Sequence, residues 1–91
     1  MRIWAKIISD QRINKQTVRE FTSLRSFSTP EIEEIVHEFC QELDLSRPVL
    51  LKKHVNEFQQ FQRIIFKAPD FMEPVDFDRF ELEMLKEKKR T

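Results

Sequence analysis

Thr29-Pro30-Glu31-Ile32-Glu33-Glu34-Ile35-Val36-His37-Glu38-Phe39-Cys40-Gln41-Glu42-Leu43 is the stretch on which the fold turns. Ile32, Ile35, Val36, Phe39, Cys40 and Leu43 recur at helical spacing and form one apolar stripe, while Glu31, Glu33, Glu34, Glu38 and Glu42 fill the remaining surface. Thr29 can cap this helix with Pro30 at its first position, where a missing N–H costs nothing. Ser28 with Glu31 offers a rival capping box one residue earlier. A helix with one apolar face has to bury it against another layer, and the flanking sequence supplies a sheet.

Toward the N-terminus, residues 2–9 alternate as a strand, with Ile3, Ala5 and Ile7 on one face and Trp4 and Ile8 on the other. Asp10-Gln11 marks a turn and residues 16–22 read as the returning strand. One hairpin register opposes Lys6 to Lys15; a shifted one sets Arg19 beside Trp4 in a cation–π contact. Residues 23–28 form a polar connection into the helix.

Toward the C-terminus, the first helix runs to about Leu43, residues 45–48 form a linker in which Pro48 opposes its continuation, and Leu51, His54, Val55, Phe58 and Phe61 predict a second helix over 49–61. Residues 63–67 are a short β-type run, and 68–74 a loop between prolines containing Phe71 and Met72. Residues 75–85 close the chain as a strand. Val75 and Phe77 are odd-numbered apolar positions, whereas Phe80, Leu82 and Met84 are even-numbered, so one apolar face requires an extra residue. A β-bulge near Asp78 or Arg79 would supply it and would send Asp76, Asp78, Glu81 and Glu83 to the opposite face. The expected order is ββααββ: an α+β domain over residues 1–85 in which an antiparallel sheet of about four strands carries two helices on one face, with a basic, frayed tail at 86–91.

Composition narrows the function. With 91 residues there is room for one core, and nine Phe and one Trp argue against disorder. No apolar run approaches the roughly 18 residues of a membrane span. No export signal is read at the start, so the cytoplasm is the expected compartment. The chain holds no glycine. Phosphate-cradling loops need backbone with positive φ and no Cβ beside the phosphate, so a P-loop, a dinucleotide fingerprint, a nucleophile elbow and the glycine-bearing RNA-binding motifs are absent. No cofactor is implied. Such a chain is expected to turn with Asp, Asn, Ser and Pro in short, ordinary turns.

Sixteen basic and sixteen acidic side chains give a net charge of zero, which argues against non-specific nucleic-acid binding. The charges come in blocks: plus four over 1–27, minus six over 28–45, plus four over 46–67, minus five over 68–83, plus three over 84–91. Such blocks attract one another inside a fold or meet a charged partner; solvated faces are the simpler reading.

Few residues point to chemistry. Glu33, His37 and Cys40 lie at i, i+4 and i+7 on one helix flank, and His54 could join them; imidazole, thiolate and carboxylate suit zinc, although structural zinc sites carry more than one thiolate. Asp76, Asp78, Glu81 and Glu83, if one-sided, form a strip for magnesium or calcium, although acidic strand faces also serve to discourage edge pairing. Cys40 with His37 or His54 is the sole thiol–imidazole combination, and its position late in a helix raises the thiol pKa, so an inert buried cysteine is expected. Trp4, Arg19, Phe71 and Met72 are the candidate contact residues, with burial the simpler expectation for Trp4, Phe71 and Met72.

Arg2-Ile3-Trp4-Ala5-Lys6-Ile7-Ile8, Pro48-Val49-Leu50-Leu51 with Lys53-His54, and Val75-Asp76-Phe77-Asp78-Arg79-Phe80-Glu81-Leu82-Glu83 resemble a group of small bacterial proteins, chiefly from Gram-positive anaerobes, for which no function is defined. The resemblance implies a small cytosolic bacterial protein and no catalytic residues. Those proteins carry glycine in the first hairpin turn, where Asp10-Gln11 stands here, which leaves a tight two-residue turn in question. Two functional classes follow from the residues. The first is a non-catalytic protein-interaction module or accessory subunit, self-associating or bound to another protein, with neither nucleic acid nor membrane as partner. The second is a divalent-metal-binding protein or metal-dependent enzyme using the acidic strand face.

Overall fold

The computed structural model describes residues 2–21 and 28–85. Strand β1 (Arg2–Ser9) turns back into β2 (Arg12–Glu20); helices α1 (Thr29–Leu43) and α2 (Lys52–Phe61) follow; β3 (Arg63–Lys67), a single 3-10 turn (Ala68–Asp70) and β4 (Arg79–Leu85) complete the chain. The sheet has four antiparallel strands in the order β2-β1-β4-β3, so the first and last described strands pair in its middle. The fold is α+β with both helices on one face. The expected tail at 86–91 and most of the connection at 23–28 lie outside the described residues.

Period-two alternation builds the sheet's helix-bearing face. Ile3, Ala5 and Ile7 of β1, Phe80 and Leu82 of β4, and Ile64 and Phe66 of β3 are buried in one cluster with Ile32, Ile35, Val36, Phe39 and Cys40 of α1 and Val55 and Phe58 of α2. The cross-strand pair Phe66–Phe80 stacks, and the ring of Phe71 meets those of Phe66 and Phe77 edge-on, closing one end of the core.

Three expectations are corrected. The last strand begins at Arg79, not at residue 75, and no bulge interrupts its pairing with β1 or β3. The change of parity falls instead in an unpaired bend, where Phe77 is buried at the end of the sheet while the Asp78 N–H donates to the Ile8 carbonyl. A bend absorbs an odd residue as well as a bulge does, because no ladder has to be kept through it. The irregularity in the sheet lies in β2, where Asn14 is squeezed out between Lys15, opposite Ile7, and Ile13, opposite Ile8. The second helix starts at Lys52, because 48–51 is occupied as a strap: Pro48 bridges Phe71 and the Val49 N–H donates to the Asp70 carbonyl.

The hairpin turn is tight after all. Asp10 and Gln11 both have positive φ, 51° and 65°, and join Ser9 directly to Arg12. Asp44 and Gln62 take the same conformation as the C-caps of α1 and α2. A glycine-free chain therefore still uses the left-handed region, at two Asp and two Gln. At the N-terminus of α1 the cap is Ser28, whose hydroxyl donates to Glu31 Oε1 and whose carbonyl accepts the Ile32 N–H, which places Thr29 and Pro30 inside the first turn.

Candidate functional site

The face of the sheet turned away from the helices has a regular grid of side chains. Pairing across the strands sets Val18, Trp4, Glu83 and Arg63 in one row; Gln16, Lys6, Glu81 and Ile65 in the next; and Ile13, Ile8, Arg79 and Lys67 in the third. Lys6 is the centre of it. Its ammonium lies 3.5 Å from Glu81 and 3.9 Å from Glu83, and 4.0 Å from the centroid of the Trp4 ring. Lys6 and Glu81 are each only 9% exposed although no described helix covers this face. Arg79 Nε donates to the other oxygen of Glu81, and the Trp4 indole N–H donates to Gln16 Oε1 at 2.9 Å.

This grid relocates the candidate contact residues. Trp4 is half-buried on the open face and its cation is Lys6. Arg19 stands opposite Ile3, on the helix-bearing face, and neither of the two hairpin registers considered is formed: Lys6 faces Gln16 and Trp4 faces Val18. Phe71 is 7% exposed and belongs to the core, whereas Met72 is 84% exposed, so the expectation of burial fails for Met72, which sits in the bend after the Pro48–Phe71 bridge. Lys6 and Val18 were missed by sequence reasoning. Their places follow from the register, which sets Trp4 opposite Val18 and Lys6 opposite Glu81.

The proposed acidic strip divides. Glu81 and Glu83 face Lys6, but Asp78 turns to the hairpin, where its Oδ2 accepts the Asp10 N–H at 2.8 Å. Asp76 lies in the unpaired bend. On α1, Cys40 is buried, Glu33 borders an open depression with Val36, Arg47, Pro48 and Leu50, and His37 is half-buried. Among the described residues no three His, Cys, Asp or Glu side chains converge as a metal-ion set. Burial pushes the Cys40 thiol up to about 11, with Arg47 opposing weakly.

One imidazole–carboxylate pair does form. His54 is fully buried at the start of α2; its Nδ1 accepts the Leu51 N–H at 2.9 Å, which leaves the proton on Nε2, 3.5 Å from Asp70 Oδ2. At that length the contact with Asp70 is electrostatic more than a formed hydrogen bond. Asp70 Oδ2 also accepts the Lys67 N–H. Burial lowers the His54 pKa; Asp70 and Glu57 oppose this and Lys53 adds to it. The pair ties the 48–51 strap, α2 and the 3-10 turn together, and among the described residues no hydroxyl or thiol is hydrogen-bonded to His54.

Comparison with protein-family models, with curated proteins and with solved structures returns no match to this chain. No helix among the described residues is long and apolar enough to cross a membrane.

Proposed function

We propose that this chain is a small, non-catalytic protein-interaction module or accessory subunit of the cytoplasm, and that it acts through the open face of its sheet and the adjoining edge strand β2. The observation that carries this reading is the combination of a saturated centre with an unsaturated margin. Lys6, Glu81, Arg79, Trp4 and Gln16 satisfy one another, so the middle of the face is a fixed polar platform. Its border on β2 exposes Ile13 and Val18 at 45% and 47%, and among the described residues the outer backbone of β2 has no strand beside it. A metal-dependent reading would need converging ligands, and three of the four acidic residues that suggested it, Glu81, Glu83 and Asp78, are engaged by Lys6, Arg79 and the hairpin turn.

The test is affinity purification of the tagged chain from its native host beside two variants. A stoichiometric companion is expected with the wild-type chain and with Glu34→Lys on the exposed side of α1, and is expected to be lost from Ile13→Lys combined with Val18→Lys. Recovery of the chain alone with stoichiometric zinc or manganese by elemental analysis would reverse the reading.

A further inference from the structure

We infer that the partner presents an acidic, extended segment that adds to β2 as a fifth strand; this rests on the interaction-module reading and specifies its chemistry. β2 is the longest of the described strands, nine residues, and lies at an edge of their sheet. Its bulge at Asn14 interrupts the ladder, so the regular run available for pairing is the six residues from Lys15 to Glu20. Along that run Lys15, Thr17 and Arg19, paired with Ile7, Ala5 and Ile3, project to the helix-bearing side, while Gln16, Val18 and Glu20 project to the open side. Lys15 and Arg19 are thus about 13 Å apart on one line, at about 3.3 Å per residue. Among the described residues neither they nor Arg12 meet a carboxylate.

Edge strands resist indiscriminate pairing by carrying lysine and by bulging, and β2 does both. Its three cations against one carboxylate repel a second copy of β2 and any basic strand. They admit a strand whose acidic side chains recur every second or fourth position, opposite Lys15 and Arg19, and whose intervening apolar side chains lie beside Val18, with Trp4 one strand further in. Backbone hydrogen bonds then supply affinity, and the two cations select the partner.

Trp4 is the sole tryptophan of the chain and stands directly opposite Val18, so its fluorescence reports occupation of this edge. The probe is a synthetic peptide alternating Glu and Val and matching β2 in length. It is compared with the same peptide carrying Lys for Glu, and with one N-methylated at alternate residues so that it cannot complete the ladder. The Glu peptide is expected to shift the Trp4 emission saturably and to protect the amides of residues 15–20 from exchange. Its affinity is expected to fall about tenfold in Lys15→Glu combined with Arg19→Glu, with near-ultraviolet circular dichroism unchanged. Equal binding of the Lys peptide, undiminished binding of the N-methylated one, protection on β3 instead, or no binding of any peptide overturns the inference. A native companion that survives the charge reversal but is lost with Ile13→Lys and Val18→Lys overturns it too, while leaving the module reading intact; a companion indifferent to both pairs of substitutions overturns both.

Discussion

Burial acts on His54 and Cys40 by the same rule with opposite signs: it disfavours the charged form, lowering the imidazole pKa and raising the thiol pKa. For His54 the consequence is a pH dependence of stability. The unfolded chain takes up a proton near the ordinary histidine value of about 6.5 while the folded chain resists it, so protons favour unfolding there. Stability contributed by the neutral ring is complete above that pH and declines as the pH falls through it toward the lowered folded value. Protonation of Nδ1 would also replace an acceptor with a donor facing the Leu51 N–H. The difference in urea midpoint between the wild-type chain and His54→Gln is therefore expected to shrink from pH 8 to pH 5; a difference that stays constant would contradict a neutral, buried His54. For Cys40, with a thiol at about 11, alkylation by iodoacetamide at neutral pH is expected only after denaturation, and rapid labelling of the native chain would contradict this. The burial of Cys40 was legible in the sequence, because its place in the apolar stripe decides it. The role of His54 was not: it depends on where α2 starts, and that depends on a strap held by Phe71 and Asp70, some twenty residues away.

At the scale of elements, three turns take a conformation that suits glycine. A left-handed non-glycine residue costs about 1–2 kcal/mol, and glycine returns about 0.5–1 kcal/mol of that as backbone entropy. Gln11→Gly in the hairpin and Gln62→Gly at the end of α2 are each expected to raise stability by about 0.5–1 kcal/mol, measured by urea denaturation; destabilisation by either would show that the side chain matters more than φ. The hairpin has one further support, the Asp78 carboxylate on the Asp10 N–H, and Asp78→Ala is expected to cost about 1 kcal/mol by the same measurement. The helices were legible because each places a single apolar stripe among polar residues. The bend at 76–78 was not, because alternation records parity and is blind to whether an odd residue sits in a bulge or outside the ladder.

Across the whole molecule, the first and fourth charge blocks meet in the middle of the sheet, where β1 lies against β4. Removing one member of a buried pair commonly costs about 3–5 kcal/mol, because the other is left uncompensated. Arg79 still faces Glu81 here, so Lys6→Met is expected to cost less, about 2–3 kcal/mol, and Lys6→Met combined with Glu81→Leu considerably less than the sum of the two single changes. Additivity in a double-mutant cycle would mean that the pair is not coupled.

The sequence by itself determined the α+β class, the two amphipathic helices, the inward residues of β1 and the exclusion of glycine-built phosphate loops, since each follows from local periodicity or from a residue type that is absent. Tertiary structure decided which strands pair, and with that everything on the open face: Lys6 between Glu81, Glu83 and Trp4, the removal of Asp78 to the hairpin, and the transfer of Arg19 to the other side. The physical reason is that side-chain alternation fixes which residues share a face of one strand, whereas a site assembled from several strands depends on their order and register. Those are set by contacts between residues 2–9 and 79–85, segments some seventy residues apart in the sequence.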